Sequence, residues 1–132
     1  MATEETTLEV GMQAPKFTVF DSAGTEYDLE RMNSDDKHVI LYFYPKDNTP
    51  GCTVQACDFR DDMSRLSNSG YIVLGVSKDS AKSHDKFISD HDLNFPILMD
   101  EELELHQAFG VWREKMNYGK TYMGTSRSTF VI

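Results

Sequence analysis

Cysteine is scarce in this chain, with two residues in 132. That is too few for a disulfide scaffold or for a four-cysteine zinc site, so a bond between the two is expected to be chemical rather than structural in purpose. Basic residues are also few: 13 against 22 acidic ones, for a net charge of −9. Such a balance favours solubility and opposes binding to phosphate backbones or anionic membranes, so neither nucleic acid nor membrane is expected as a partner. No stretch approaches the roughly 20 apolar residues that span a bilayer, and Met1-Ala2-Thr3-Glu4-Glu5 lacks the basic and apolar regions of a signal peptide. The expected localisation is cytoplasmic. Repeats, low-complexity tracts and Pro/Gly/Ser linkers are missing too, and the length suits one core, so residues 1–132 read as a single domain. His38, His84, His91 and His106 show no close metal-ligand spacing and read as surface or strand-edge residues, with no metal or organic cofactor expected.

What is present is an alternation of strand and helix signals. After a tail from Met1 to Glu5, Phe17-Thr18-Val19-Phe20 and Thr25-Glu26-Tyr27-Asp28 flank Asp21-Ser22-Ala23-Gly24, the chemistry of a hairpin. His38 to Tyr44 is β-branched and aromatic without polar alternation, which predicts a central strand covered on both faces. Pro50 to about Asn68 predicts a helix with Phe59, Met63 and Leu66 on its buried face and Asn68-Ser69-Gly70 as its stop. Tyr71 to Ser77 predicts a second buried strand, Ser80 to His91 a helix with Phe87 and Ile88 inward, and Phe95 to Met99 a short strand. Leu103 to Phe109 predicts a helix ended by Gly110, and Ser126 to Ile132 a last strand. The fold class is α/β, a central sheet flanked by helices.

The chemistry concentrates between the first central strand and the long helix, in Pro45-Lys46-Asp47-Asn48-Thr49-Pro50-Gly51-Cys52. Thr49 suits an N-cap and Pro50 the first helical position, which puts Cys52 in the first turn. There the unpaired N–H groups and the helix dipole favour a thiolate over a thiol, whose ordinary pKa is about 8.5. Cys52 is thus a candidate nucleophile rather than an inert buried thiol. Gly51 leaves room beside the sulfur, and the Thr49 hydroxyl can hydrogen-bond sulfur or substrate. Cys57 follows five residues later. Ideal helix geometry separates the two Cα atoms by roughly 8.6 Å, beyond the approximately 7 Å reach of a disulfide. A bond between them therefore requires local unwinding; an inert core thiol is the competing reading for Cys57. Lys46 and Asp47 read as solvated loop charges, and Trp112 as a core residue.

The run from Phe43 to Asp61, with its P-x-x-x-T-x-x-C pattern, resembles the active-site signature of the peroxiredoxin Q subfamily, also called bacterioferritin comigratory protein. The resemblance continues through Phe109-Gly110-Val111-Trp112, Gly119-Lys120-Thr121-Tyr122 and Arg127 to Ile132. It implies a thioredoxin-like fold and a thiol peroxidase. Under it Cys52 matches the peroxidatic cysteine, Cys57 the resolving cysteine, Thr49 and Pro45 the active-site threonine and proline, and Arg127 the arginine that stabilises the thiolate and polarises the peroxide. Gly51, Thr49 and Arg127 are the implied substrate contacts. Gln55 stands where a glutamate is common. Members of the subfamily normally continue past the last strand into another strand and a helix, so the resemblance leads us to expect a C-terminally truncated chain.

The implied reaction is peroxide reduction through a Cys52 sulfenic acid, resolved by Cys57 and re-reduced by thioredoxin or a related dithiol donor, in a monomer. Two other readings stand beside it. A general thiol–disulfide oxidoreductase would usually carry C-x-x-C, which this chain lacks. A redox sensor would use the same reactive cysteine without turnover. Taken without the resemblance, Arg127 reads as a surface salt-bridge residue.

Overall fold

The computed structural model describes residues 10–132, and the expected tail from Met1 to Glu5 lies outside them. The chain runs β1 (Thr18–Phe20), β2 (Glu26–Asp28), α1 (Leu29–Ser34), β3 (His38–Phe43), α2 (Pro50–Asn68), β4 (Tyr71–Ser77), α3 (Ala81–His91), β5 (Ile97–Met99), α4 (Glu104–Ala108), β6 (Trp112–Asn117), β7 (Lys120–Thr125) and β8 (Ser128–Val131). The central sheet has the order β5-β4-β3-β8. Strands β3, β4 and β5 are parallel, and β8 runs antiparallel to β3.

The uninterrupted apolar run of β3 is explained by what lies on either side of it. Val39, Leu41 and Phe43 enter one core cluster with Leu29 and Met32 of α1 and Leu105 of α4. Ile40, Tyr42 and the following Tyr44 enter the other with Cys52 and Ala56 of α2 and Phe87 of α3. Successive strand residues face opposite sides, so a strand buried on both has no position for a polar residue. The result is a three-layer α/β sandwich with the thioredoxin-like layout.

Helix α2 packs through Cys52, Ala56, Phe59, Met63 and Leu66, a spacing of three and four residues that keeps one face inward. Phe59 stacks on Tyr42 with ring centroids 4.7 Å apart. The helix stops where expected: Ser69 is the C-cap and Gly70 takes φ +84°, a left-handed conformation that glycine adopts without a Cβ penalty. Across the sheet Tyr42 pairs with Gly75, and a Cβ there would stand 3.1 Å from the Tyr42 ring. Glycine makes room for the phenol.

Two features depart from the expected layout. Helix α1 forms between the hairpin and β3 because the Asp28 side chain accepts the Arg31 N–H at 3.1 Å while Leu29 and Met32 face the core. Strands β6 and β7 form a separate antiparallel hairpin. Its turn places both Tyr118 (φ 52°) and Gly119 (φ 77°) at positive φ, as a two-residue hairpin turn requires.

Candidate active site

Strand β3 ends at Phe43, which pairs with Ser128 at the start of β8. That register puts Arg127 beside the point where the chain leaves the sheet for α2. The Arg127 guanidinium lies with Nη2 3.2 Å from Cys52 Sγ and with Nη1 donating to Gln55 Oε1 at 2.7 Å. Arg127 forms this fork, not the surface salt bridge that its isolated sequence position suggests. Cys52 is 2% exposed, and Cys57, five residues further along the intact helix, is half-buried; both are free thiols. A Cβ added at Gly51 would stand 3.5 Å from Arg127 Nη2, in ordinary contact with the guanidinium.

Thr49 occupies the N-cap with extended backbone, and its carbonyl accepts the Thr53 N–H at 2.8 Å. Its hydroxyl does not cap the helix. It donates instead to the Lys46 carbonyl at 2.9 Å, which closes the loop on itself and leaves the oxygen lone pairs able to accept. The first-turn N–H groups of α2 therefore receive no side-chain cap from Thr49. Pro45 is half-buried at the exit from β3.

Alongside Cys52, a shallow hollow of about 500 Å³ is lined by Gly51, Val54, Gln55, Asp58, Phe59, Asp62 and Arg127. A larger hollow of about 700 Å³, between the β1 segment and the Met99–Leu105 region, is lined by none of the candidate residues. Among the described residues no group of three or more His, Cys, Asp or Glu is placed to hold a metal ion.

Three charged or titratable residues sit elsewhere than expected. Asp47 is 5% exposed, not a solvated loop charge, and its carboxylate meets Tyr44 Oη at 2.5 Å and His84 Nδ1 at 2.6 Å. His84 and His106 are fully buried rather than superficial. His106 bridges Asp100 at 2.5 Å and Thr125 Oγ1 at 3.0 Å, while Asp100 also accepts the N–H groups of Leu105 and His106 at the start of α4. A carboxylate partner is what makes burial of an imidazole affordable in each case. Trp112 is half-buried and meets the His106 ring edge-on at 6.0 Å.

The AhpC/TSA family profile matches residues 10–132. The chain belongs to this family. It is 45% identical over 126 residues to peroxiredoxin Bcp of Bacillus subtilis, across 96% of this chain and 79% of that protein. Among solved structures, a mutant of Xanthomonas campestris peroxiredoxin Q superposes with a TM-score of 0.81 and 40% identity, over 88% of this chain and 73% of the other. A bacterioferritin comigratory protein of the same organism, described for its alkyl peroxide reduction activity in trapped intermediate and ligand complexes, superposes with a TM-score of 0.81 and 39% identity, over 88% and 73% of the two chains. Within the family the chain falls in the Bcp and Q branch of the peroxiredoxins, enzymes of the thiol-dependent peroxidase class with the thioredoxin fold.

Proposed function

We propose that the protein reduces hydrogen peroxide and organic hydroperoxides with Cys52 as the nucleophile, that Cys57 resolves the oxidised cysteine, and that thioredoxin or a similar dithiol protein restores the pair. The observation that carries this reading is the approach of Arg127 Nη2 to within 3.2 Å of Cys52 Sγ in the first turn of α2. A cationic donor at that distance, together with unpaired backbone N–H groups, stabilises a thiolate and then the charge that develops on oxygen.

In the first step the Cys52 thiolate attacks one peroxide oxygen. The S–O bond forms as the O–O bond breaks, the leaving oxygen takes a proton and departs as water or alcohol, and sulfur is oxidised to the sulfenic acid. Arg127 and the N–H groups near Gly51 face the developing charge, while Thr49 Oγ1, its proton already committed to Lys46, accepts the hydroperoxide O–H. Pro45, at the exit from β3, begins the loop that carries Thr49 to this position. In the second step the Cys57 thiol displaces hydroxide from the sulfenic sulfur, releasing water and forming the disulfide. Because both cysteines lie on one helix, α2 must unwind locally for this step. A dithiol donor then reduces the disulfide by exchange. The alkyl peroxide reduction described for the Xanthomonas campestris relative supports organic hydroperoxides as substrates.

Peroxide consumption with thioredoxin as donor tests the assignment. Cys52→Ser should lose turnover and Cys57→Ser should retain one stoichiometric reduction; turnover by Cys52→Ser would contradict it.

A further inference from the structure

The loop from Tyr44 to Thr49 carries a buried anion that the peroxide chemistry leaves without a task. Asp47 is 5% exposed, and both of its carboxylate oxygens are engaged. Oδ1 accepts from the Tyr44 hydroxyl at 2.5 Å, while Oδ2 accepts from Ser83 Oγ at 2.9 Å and meets His84 Nδ1 at 2.6 Å. Two of these partners are hydroxyl donors, so the carboxylate acts as acceptor and His84 Nδ1 supplies the third proton. His84 Nε2 has no partner among the described residues. The Asp47 backbone is held as well: its N–H donates at 2.8 Å to Asp79 Oδ2, the oxygen that also accepts Ser77 Oγ at 2.8 Å. Asp47 is thereby tied to the ends of β3 and β4 and to the first turn of α3.

Burying a carboxylate is costly, and a well-packed apolar residue would often serve stability as well or better. What the carboxylate provides here is direction. It fixes the loop one residue past Lys46, whose carbonyl receives the Thr49 hydroxyl at 2.9 Å, and Thr49 in turn opens α2 through its carbonyl and the Thr53 N–H. From His84 the constraints run through Asp47, Lys46 and Thr49 to the turn that holds Cys52.

We propose that Asp47 and His84 form a positioning pair for the peroxide site, holding the strand-to-helix loop so that Thr49 Oγ1 and the first turn of α2 are in register with Arg127 before substrate arrives. The inference rests on Cys52 being the peroxide-reactive thiol. A loop misplaced by about 1 Å can cost on the order of 100-fold in rate. The pair's influence should therefore fall mainly on peroxide, which needs Thr49 and Arg127 aligned on its oxygens, and much less on iodoacetamide, which reacts with the thiolate without using Thr49.

The test is the rate of Cys52 oxidation by hydrogen peroxide and of its alkylation by iodoacetamide, at one pH, in folded wild type, Asp47→Asn, His84→Leu and His84→Asn. The amide nitrogen of His84→Asn replaces Nδ1 as donor. Asp47→Asn and His84→Leu should oxidise at least about tenfold more slowly with alkylation within about threefold of wild type, and His84→Asn should recover most of the oxidation rate. If Asp47→Asn does not fold, the two His84 variants decide. Wild-type oxidation rates in the folded variants, or equal loss of both reactions, would overturn the pair's role. A wild-type Cys52 no faster toward peroxide than a free thiol would instead defeat the peroxidase reading, and the pair's role with it.

Discussion

Arg127 and Cys52 are 75 residues apart in the chain and 3.2 Å apart between Nη2 and Sγ. The antiparallel pairing of β8 with β3 closes that gap, because it aligns Ser128 with Phe43 at the edge from which the chain departs toward the cysteine helix. The guanidinium then reaches sulfur with one arm and Gln55 with the other.

A lysine at position 127 keeps the charge but cannot serve both contacts, since its ammonium is a point charge and the guanidinium a planar fork. Arg127→Lys is expected to slow peroxide reduction by about 100-fold or more, in line with the loss of one oriented donor to a developing oxyanion. Stopped-flow oxidation of the reduced protein measures it, and a rate within threefold of wild type would contradict the fork.

Gln55 acts on the site through Arg127, accepting from Nη1 at 2.7 Å. Gln55→Ala leaves that arm without its acceptor and should slow oxidation about tenfold, equivalent to about 1.4 kcal/mol. Gln55→Glu retains an acceptor oxygen and should remain faster than Gln55→Ala in the same assay.

Tyr42 carries a buried hydroxyl with no hydrogen-bond partner among the described residues, and burial, followed by the proximity of Cys52 and Asp47, pushes its ionisation far above the ordinary tyrosine range. Removing an unsatisfied buried hydroxyl relieves a desolvation cost, so Tyr42→Phe should stabilise the fold by about 1 kcal/mol in urea denaturation. The pH dependence follows in sign. Above about pH 10 the unfolded chain releases the phenolic proton while the folded chain keeps it, so stability falls as pH rises, by about 1.4 kcal/mol per pH unit for each such tyrosine. Tyr44, also raised first by burial, contributes in the same direction. Tyr42→Phe should make the alkaline loss of stability shallower; an unchanged slope would contradict the assignment.

The layers of the fold were legible where residue type and burial agree. Strand β3 from Val39 onward and β4 up to Val76 carry no charged residue because both faces are covered, and α2 is bracketed by Pro50 and Gly70. The β6–β7 hairpin was not legible, because Met116, Tyr122 and Met123 are exposed and its strands show no apolar face to read. Its signal was the turn pair Tyr118-Gly119, both residues at positive φ. In the site, Cys52, Thr49 and Gly51 followed from local chemistry, whereas Arg127 followed from resemblance alone, since its position depends on strand pairing. Asp47 and His84 were read as exposed because charge is usually outside. Their burial depends on contacts across 37 residues that no local window contains.

Reduced protein mixed with one equivalent of hydrogen peroxide, followed by intact mass and free-thiol count in wild type and Cys57→Ser, tests the central claim most directly. The account predicts loss of both thiols to an internal disulfide in wild type and a trapped sulfenic acid at Cys52 in the variant. Two thiols that survive the peroxide in the wild-type protein would contradict it.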